Sequence, residues 1–133
     1  MTLAELEARL REGLALVAGV RFAFLFGSGA ARGPEKARDI DVAVAFARAP
    51  GLMELAALAS DLERLVGKTV DVIDLDEAST LLRWEVLRTG RLLVAPDEAV
   101  WLAFAARVPL EYADLRPYLD REAAGLRRAL GVP

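Results

Sequence analysis

The chain has 133 residues, 55% of them hydrophobic and 28% charged, with a formal net charge of -3. This balance suits one folded domain over 1–133 and excludes a disordered chain, while the mild acidity without a basic block disfavours direct nucleic-acid binding. Cysteine and histidine are absent, which removes disulfides, thiolate and imidazole chemistry and ordinary zinc sites; a catalytic metal would have to sit on hard oxygen ligands, which suit Mg²⁺, Mn²⁺ or Ca²⁺.

The first segment, 2–18, spaces Leu3, Leu6, Leu10, Leu14 and Val17 by threes and fours, predicting an amphipathic helix with Thr2 as N-cap. Its acidic, amphipathic character does not read as a signal peptide, and no apolar run is long enough to span a bilayer. A cytoplasmic location is therefore expected. Residues 20–26 (VRFAFLF) predict a buried strand, and 27–38 a loop with at most a short helical turn, since Pro34 blocks regular pairing. A second strand is expected at 39–46, a helix at 52–66 and a third strand at 69–75. Ser79 or Thr80 would cap a helix through Arg88 that Gly90 stops. RLLVA at 91–95 gives a short last strand, and 97–131 a helical tail interrupted or kinked near Pro109 and Pro117. The core would then be about 1–95.

Strand–helix–strand order over 39–75 implies a right-handed crossover and a parallel pair, whereas the short connection from 26 to 39 fits an antiparallel one. The expected fold class is α+β, a small mixed sheet with helices packed on it.

The second strand is unusual. Alternation puts Ile40, Val42 and Val44 on one face and both Asp39 and Asp41 on the other. On its own, Asp-Ile-Asp reads equally as a solvated strand end. If 20–26 and 39–46 pair antiparallel, Gly27 and Ser28 fall beside the two aspartates. If 69–75 runs parallel to 39–46, Asp71 arrives at the same end. Three carboxylates meeting a Gly-Ser turn suit one or two divalent metals and phosphoryl transfer, with glycine allowing close backbone approach to a phosphate. The turn does not match the P-loop pattern. Asp74 and Asp76 compete with Asp71, but Asp74 shares the parity of the inward Val72 and Asp76 falls past the strand end.

GSGAARG, then RDIDVAV, then VDVIDL together resemble the minimal nucleotidyltransferases of the DNA polymerase beta superfamily, over about 20–95. The resemblance implies a polymerase beta-like fold and a triphosphate held by Gly27 and Ser28. It also implies Mg²⁺ on Asp39, Asp41 and Asp71, the last also helping to deprotonate the acceptor hydroxyl. LLRWEVLRTGRLLVAPDE and the tail around LEYADLRPYL are similar to the MntA antitoxin family. That likeness implies transfer of AMP from ATP to a tyrosine of a HEPN-domain RNase toxin, in a homo- or hetero-oligomer. The loop departs from the family pattern by one extra residue after Gly-Ser, and Arg38 stands where Ser or Thr precedes the first aspartate. Arg32 and Arg38 are candidate phosphate contacts or simply solvated, and Lys36 reads as solvated. Tyr112 and Tyr118 read as packing residues.

Two other readings remain open. An antitoxin with a weak or inactive site could neutralise its toxin by complex formation, and the apolar segment WLAFAARVPL calls for a partner or the core. Nucleotidyl transfer to a small molecule or an RNA end comes last, because relatives with those activities are usually larger.

Overall fold

Thr2 starts the first helix, its hydroxyl accepting the Glu5 amide at 3.1 Å. The computed structural model describes residues 1–133. Its elements are α1 (Leu3–Ala15), β1 (Val20–Phe26), α2 (Gly27–Arg32), β2 (Asp39–Phe46), α3 (Leu52–Val66), β3 (Thr69–Asp74), α4 (Thr80–Thr89), β4 (Arg91–Val94) and α5 (Glu98–Leu130). Helix α1 stops short of the predicted residue 18. Leu16 falls off the apolar stripe into solvent, and the chain must turn before β1.

The four strands form one sheet in the order β3-β2-β1-β4. Strand β2 runs parallel to β3, and β1 pairs antiparallel with both β2 and β4. This is the mixed α+β arrangement expected from the connection lengths. Alternation splits the core in two. On one face Leu25, Ile40, Val42, Val44 and Val70 pack against Leu6, Leu10 and Leu14 of α1 and Leu58, Leu62 and Val66 of α3. On the other, Phe22, Phe24, Ala43 and Ala45 meet Val86 of α4 and Phe104 and Val108 of α5. Each fully buried Leu or Ile contributes about 1.5–3 kcal/mol, so the two apolar layers dominate the stability.

Side chains cover both edges of the sheet. Glu63 Oε1 accepts the Val70 amide at 3.1 Å on the β3 edge, and Arg11 Nε donates to Leu93 O at 2.8 Å on the β4 edge. Glu7, the one buried acid, is held by Arg11 and Arg91.

Two predicted boundaries resolve differently. Ser79, not Thr80, caps α4, its Oγ accepting the Leu82 amide at 3.1 Å. The predicted interruption of the tail is absent: α5 runs unbroken from Glu98 to Leu130 with Pro109 and Pro117 inside it. An interior proline leaves the carbonyl four residues earlier without its partner, here at Ala105 and Ala113. Ala105 is half-buried and Ala113 exposed, so water can satisfy both carbonyls, and the packing of Phe104 and Val108 holds the helix on course. Of the segment 101–110, Phe104 and Val108 enter the core, while Leu102 and Leu110 stay exposed. Tyr112 packs as expected, stacked on Trp84 at 4.6 Å between ring centroids. Tyr118 does not; it is exposed, with only Arg121 over its ring.

Candidate active site

Strand β2 carries two chemistries on one face. Ala43 and Ala45 lie under α5 and are fully buried. Asp39 and Asp41, two and four positions earlier with the same parity, lie beyond that cover: Asp39 is exposed and Asp41 half-buried. The aspartates occur where the helical layer ends and water begins.

Pairing brings the third acid in. Asp41 is the register partner of Asp71 in the parallel ladder, Asp39 is the partner of Thr69, and Phe26 faces Asp41 across the antiparallel ladder. Adjacent strands lie about 4.8 Å apart, so Asp41 and Asp71 stand side by side on the same face. The two competitors go elsewhere. Asp74 pairs with Val44 at the far end of the strands, and its Oδ1 accepts the Asp76 amide at 3.0 Å to turn the chain out of the sheet.

Gly27 closes the arrangement from β1. Its φ of +70° lies in the left-handed region, and a Cβ added there would sit 2.4 Å from Asp41 Oδ2. The φ favours glycine, and any Cβ would displace the Asp41 carboxylate, which lies directly against the Gly27 backbone. The stretch predicted as mostly loop begins with a six-residue helix, α2, that follows β1 without a connection. Ser28 is exposed in its first turn. Gly29 is buried against Ile40 and Leu25, so it serves packing. Arg32, Lys36 and Arg38 are exposed.

The electrostatics follow from the crowding. The Asp41 carboxyl is pushed above the usual range, first by burial and then by the charges of Asp71 and Asp39. The three carboxylates are not drawn in around a common point; nowhere in the chain do three acidic side chains form a ready-made metal cage. The donor set fits a hard divalent cation: hard oxygens only, two of them on adjacent strands in register, with an unneutralised charge on the most buried. The site is an open shelf. Two clefts of about 340 Å³ lie elsewhere, one of them at the opposite end of β1 and β2 between Gly19, Phe46 and Leu58.

The family described as polymerase beta, nucleotidyltransferase, matches residues 10–99. The chain belongs to that family. It is a nucleotidyltransferase by membership, and the match spans the whole sheet and all three acids. A protein assigned as a protein adenylyltransferase in Methanocaldococcus jannaschii is 36% identical over 69 residues, 52% of this chain and 74% of that one. Among solved structures, a chain of a toxin–antitoxin complex crystallised with AMP-PNP superposes with a TM-score of 0.78 at 26% identity, covering 90% of this chain and 97% of that one. A structure described as a minimal nucleotidyltransferase reaches 35% identity with a TM-score of 0.58, covering 68% and 95% of the two chains. A chain of a Shewanella oneidensis complex, a tri-AMPylated HEPN toxin with its MNT antitoxin, shares the fold with a TM-score of 0.75 at 24% identity, over 93% and 98%.

The fold and the family were thus readable from the motifs, and the resemblance to MntA antitoxins extends to the architecture. One contributor was not singled out in the sequence. Lys68, which begins β3's approach, donates to main-chain carbonyls of the turn before Asp39. A lone lysine between a helix-ending glycine and a strand gives no signal of this in sequence.

Proposed function

We propose that this nucleotidyltransferase transfers AMP from ATP to a tyrosine hydroxyl of a HEPN-family RNase toxin, with Mg²⁺ held by Asp39, Asp41 and Asp71. The observation that carries the reading is the seating of the Asp41 carboxylate against Gly27, with Asp71 in register beside it. Gly27 keeps the backbone low enough for a triphosphate to approach the acids, and the exposed Ser28 offers its hydroxyl and amide to phosphate oxygens. In the transfer, the acceptor oxygen bonds to the α-phosphorus, the bond to the bridging oxygen breaks and pyrophosphate leaves. The acceptor proton passes to a carboxylate, Asp71 being the most open of those on β3, or to water. When bound, Mg²⁺ would neutralise the phosphate charge and lower the barrier to attack. The absence of histidine leaves the base role to these oxygens.

The protein partners named in the matched toxin–antitoxin structures support a protein acceptor over a small molecule. An open shelf also suits one, because a tyrosine presented by a partner needs access where a small substrate would need enclosure.

The test is to incubate the protein with labelled ATP, Mg²⁺ and the product of an adjacent HEPN-type gene. Label should appear on the partner and disappear with the Asp39→Ala/Asp41→Ala double variant. Undiminished labelling by that variant would sink the site assignment. If the variant transfers nothing yet still blocks the toxin fully, neutralisation by complex formation replaces catalysis.

A further inference from the structure

Lys68 is one of two lysines in the chain. Gly67, at a left-handed φ of +74°, ends α3 with its N–H on Glu63 O at 2.8 Å and turns the chain into β3. The Lys68 side chain then reaches back to the turn between α2 and β2. Its Nζ donates to Ala37 O at 3.0 Å and to Pro34 O.

The environment makes this contact informative. Pro34 and Ala37 are both buried, and neither carbonyl accepts a main-chain N–H. Lys68 is half-buried and pairs with no carboxylate. A partly desolvated ammonium here serves two backbone carbonyls three residues apart, satisfying groups that would otherwise be left unpaired. The clamp sits at a critical place. Lys68 immediately precedes Thr69, the register partner of Asp39, and Ala37 lies two residues before Asp39. The ammonium therefore closes a ring through the entries of β2 and β3, the strands that carry the acids.

We propose that Lys68 is a positioning residue for the carboxylate site: by tying the 33–38 turn to the start of β3, it fixes where Asp39 enters the sheet relative to Asp71. This rests on the reading of Asp39, Asp41 and Asp71 as metal ligands. Without the tether, the turn gains freedom and Asp39, in the terminal pair of the β2–β3 ladder with no partner on β1, is the first ligand to wander. Asp41 and Asp71 remain held by their own pairing.

The test uses Mn²⁺ alone, titrated into the full chain and followed by electron paramagnetic resonance, with no turnover required. Lys68→Met should weaken Mn²⁺ binding about tenfold, as losing a group that orients a ligand does. Amide exchange should quicken within 33–39 while 41–46 and 70–74 keep wild-type protection. Lys68→Arg, which keeps donors on a long stem, should recover most of the affinity. Should Lys68→Met fail to fold, Lys68→Gln gives the same comparison with a milder loss. Wild-type Mn²⁺ affinity in the Met or Gln variant would overturn the proposal, as would exchange quickened uniformly across the sheet. A different result would overturn the site reading instead: Mn²⁺ binding that survives Asp39→Asn/Asp41→Asn, or no binding by the wild type.

Discussion

The two halves of β2 differ by one condition. Ala43 and Ala45 sit under α5, whereas Asp39 and Asp41 share their face two residues beyond its reach. The same strand, pleat and ladder build an apolar core at one end and a charged shelf at the other. What separates them is the layer above. Carboxylates are tolerable where water or a cation can reach them and costly where a helix excludes both. Exchanging the two environments is the most direct way to break this comparison. Ala43→Asp would put an unpaired acid in a position with no exposure, costing about 4 kcal/mol or more, enough to unfold a large share of the protein. Urea denaturation should show a strongly lowered midpoint; a wild-type midpoint would mean that α5 does not seal this face.

The reverse change sharpens it. Asp41→Asn keeps the shape of the shelf and removes its most buried charge. Activity should fall about a thousandfold, in line with removing a group that stabilises transition-state charge. Stability should not fall with it, because the lost carboxylate is crowded by Asp71 and Asp39 rather than paired. Parallel measurement of adenylylation and of the denaturation midpoint separates the two effects. A variant that lost both would mark Asp41 as structural.

Gly27 tests the contact that joins the shelf to β1. Gly27→Ala incurs two costs: a left-handed backbone, about 1–2 kcal/mol for an L-residue, and displacement of Asp41. Gly33, at φ +83° and ψ 165°, lies in a region open essentially to glycine alone but has open space around it, so Gly33→Ala incurs backbone strain without displacing Asp41. Both variants should lose stability, and Gly27→Ala should lose more activity per unit of lost stability, by at least about tenfold as expected for a misplaced reacting group. Equal activities would show that the approach of Gly27 to Asp41 is incidental.

How far the sequence foretold this arrangement depends on the range of the interaction concerned. Period-two alternation in IDVAV and the off-phase aspartates placed Asp39 and Asp41 on one face, because parity is local. The parallel pairing that brings Asp71 to the same end of the sheet as Asp41 followed from the strand–helix–strand order, since crossover geometry allows few alternatives; the register that sets the two side by side comes from the ladder itself. The start of α2 at Gly27 was not legible: GSGAAR is too short to show a helical period, and its cap is the end of a strand. Nor was the unbroken α5, because proline's local penalty gave no measure of the packing at Phe104 and Val108 that outweighs it. The Lys68 tether depends on a contact across 31 residues to Ala37, and no spacing rule encodes that. Local rules thus foretold the face and the acids; long-range contacts decide how firmly they are held.

The smallest expected effect concerns the charge balance of the shelf itself. Asp41 has a folded-state carboxyl raised above its ordinary value by burial, then by Asp71, then by Asp39. Between the ordinary aspartate value of about 3.9 and the raised one, the folded state binds more protons than the unfolded state. Stability then falls as pH rises through this window, opposite in sign to a salt-bridged aspartate. The Asp41 contribution in metal-free protein is thus least favourable at neutral pH and improves on mild acidification. Other carboxylates titrate nearby, so the difference between wild type and Asp41→Asn isolates it. With EDTA present, the gap in urea midpoint between the two proteins should favour Asn at pH 7 and narrow as pH falls through the raised value. Adding Mg²⁺ at pH 7 should also narrow the gap, by supplying from solution the positive charge that acidification supplies as a proton. A gap that widened on acidification would mean that Asp41 is stabilised by a partner in the fold, and that the shelf and the covered half of β2 differ in something other than unneutralised charge.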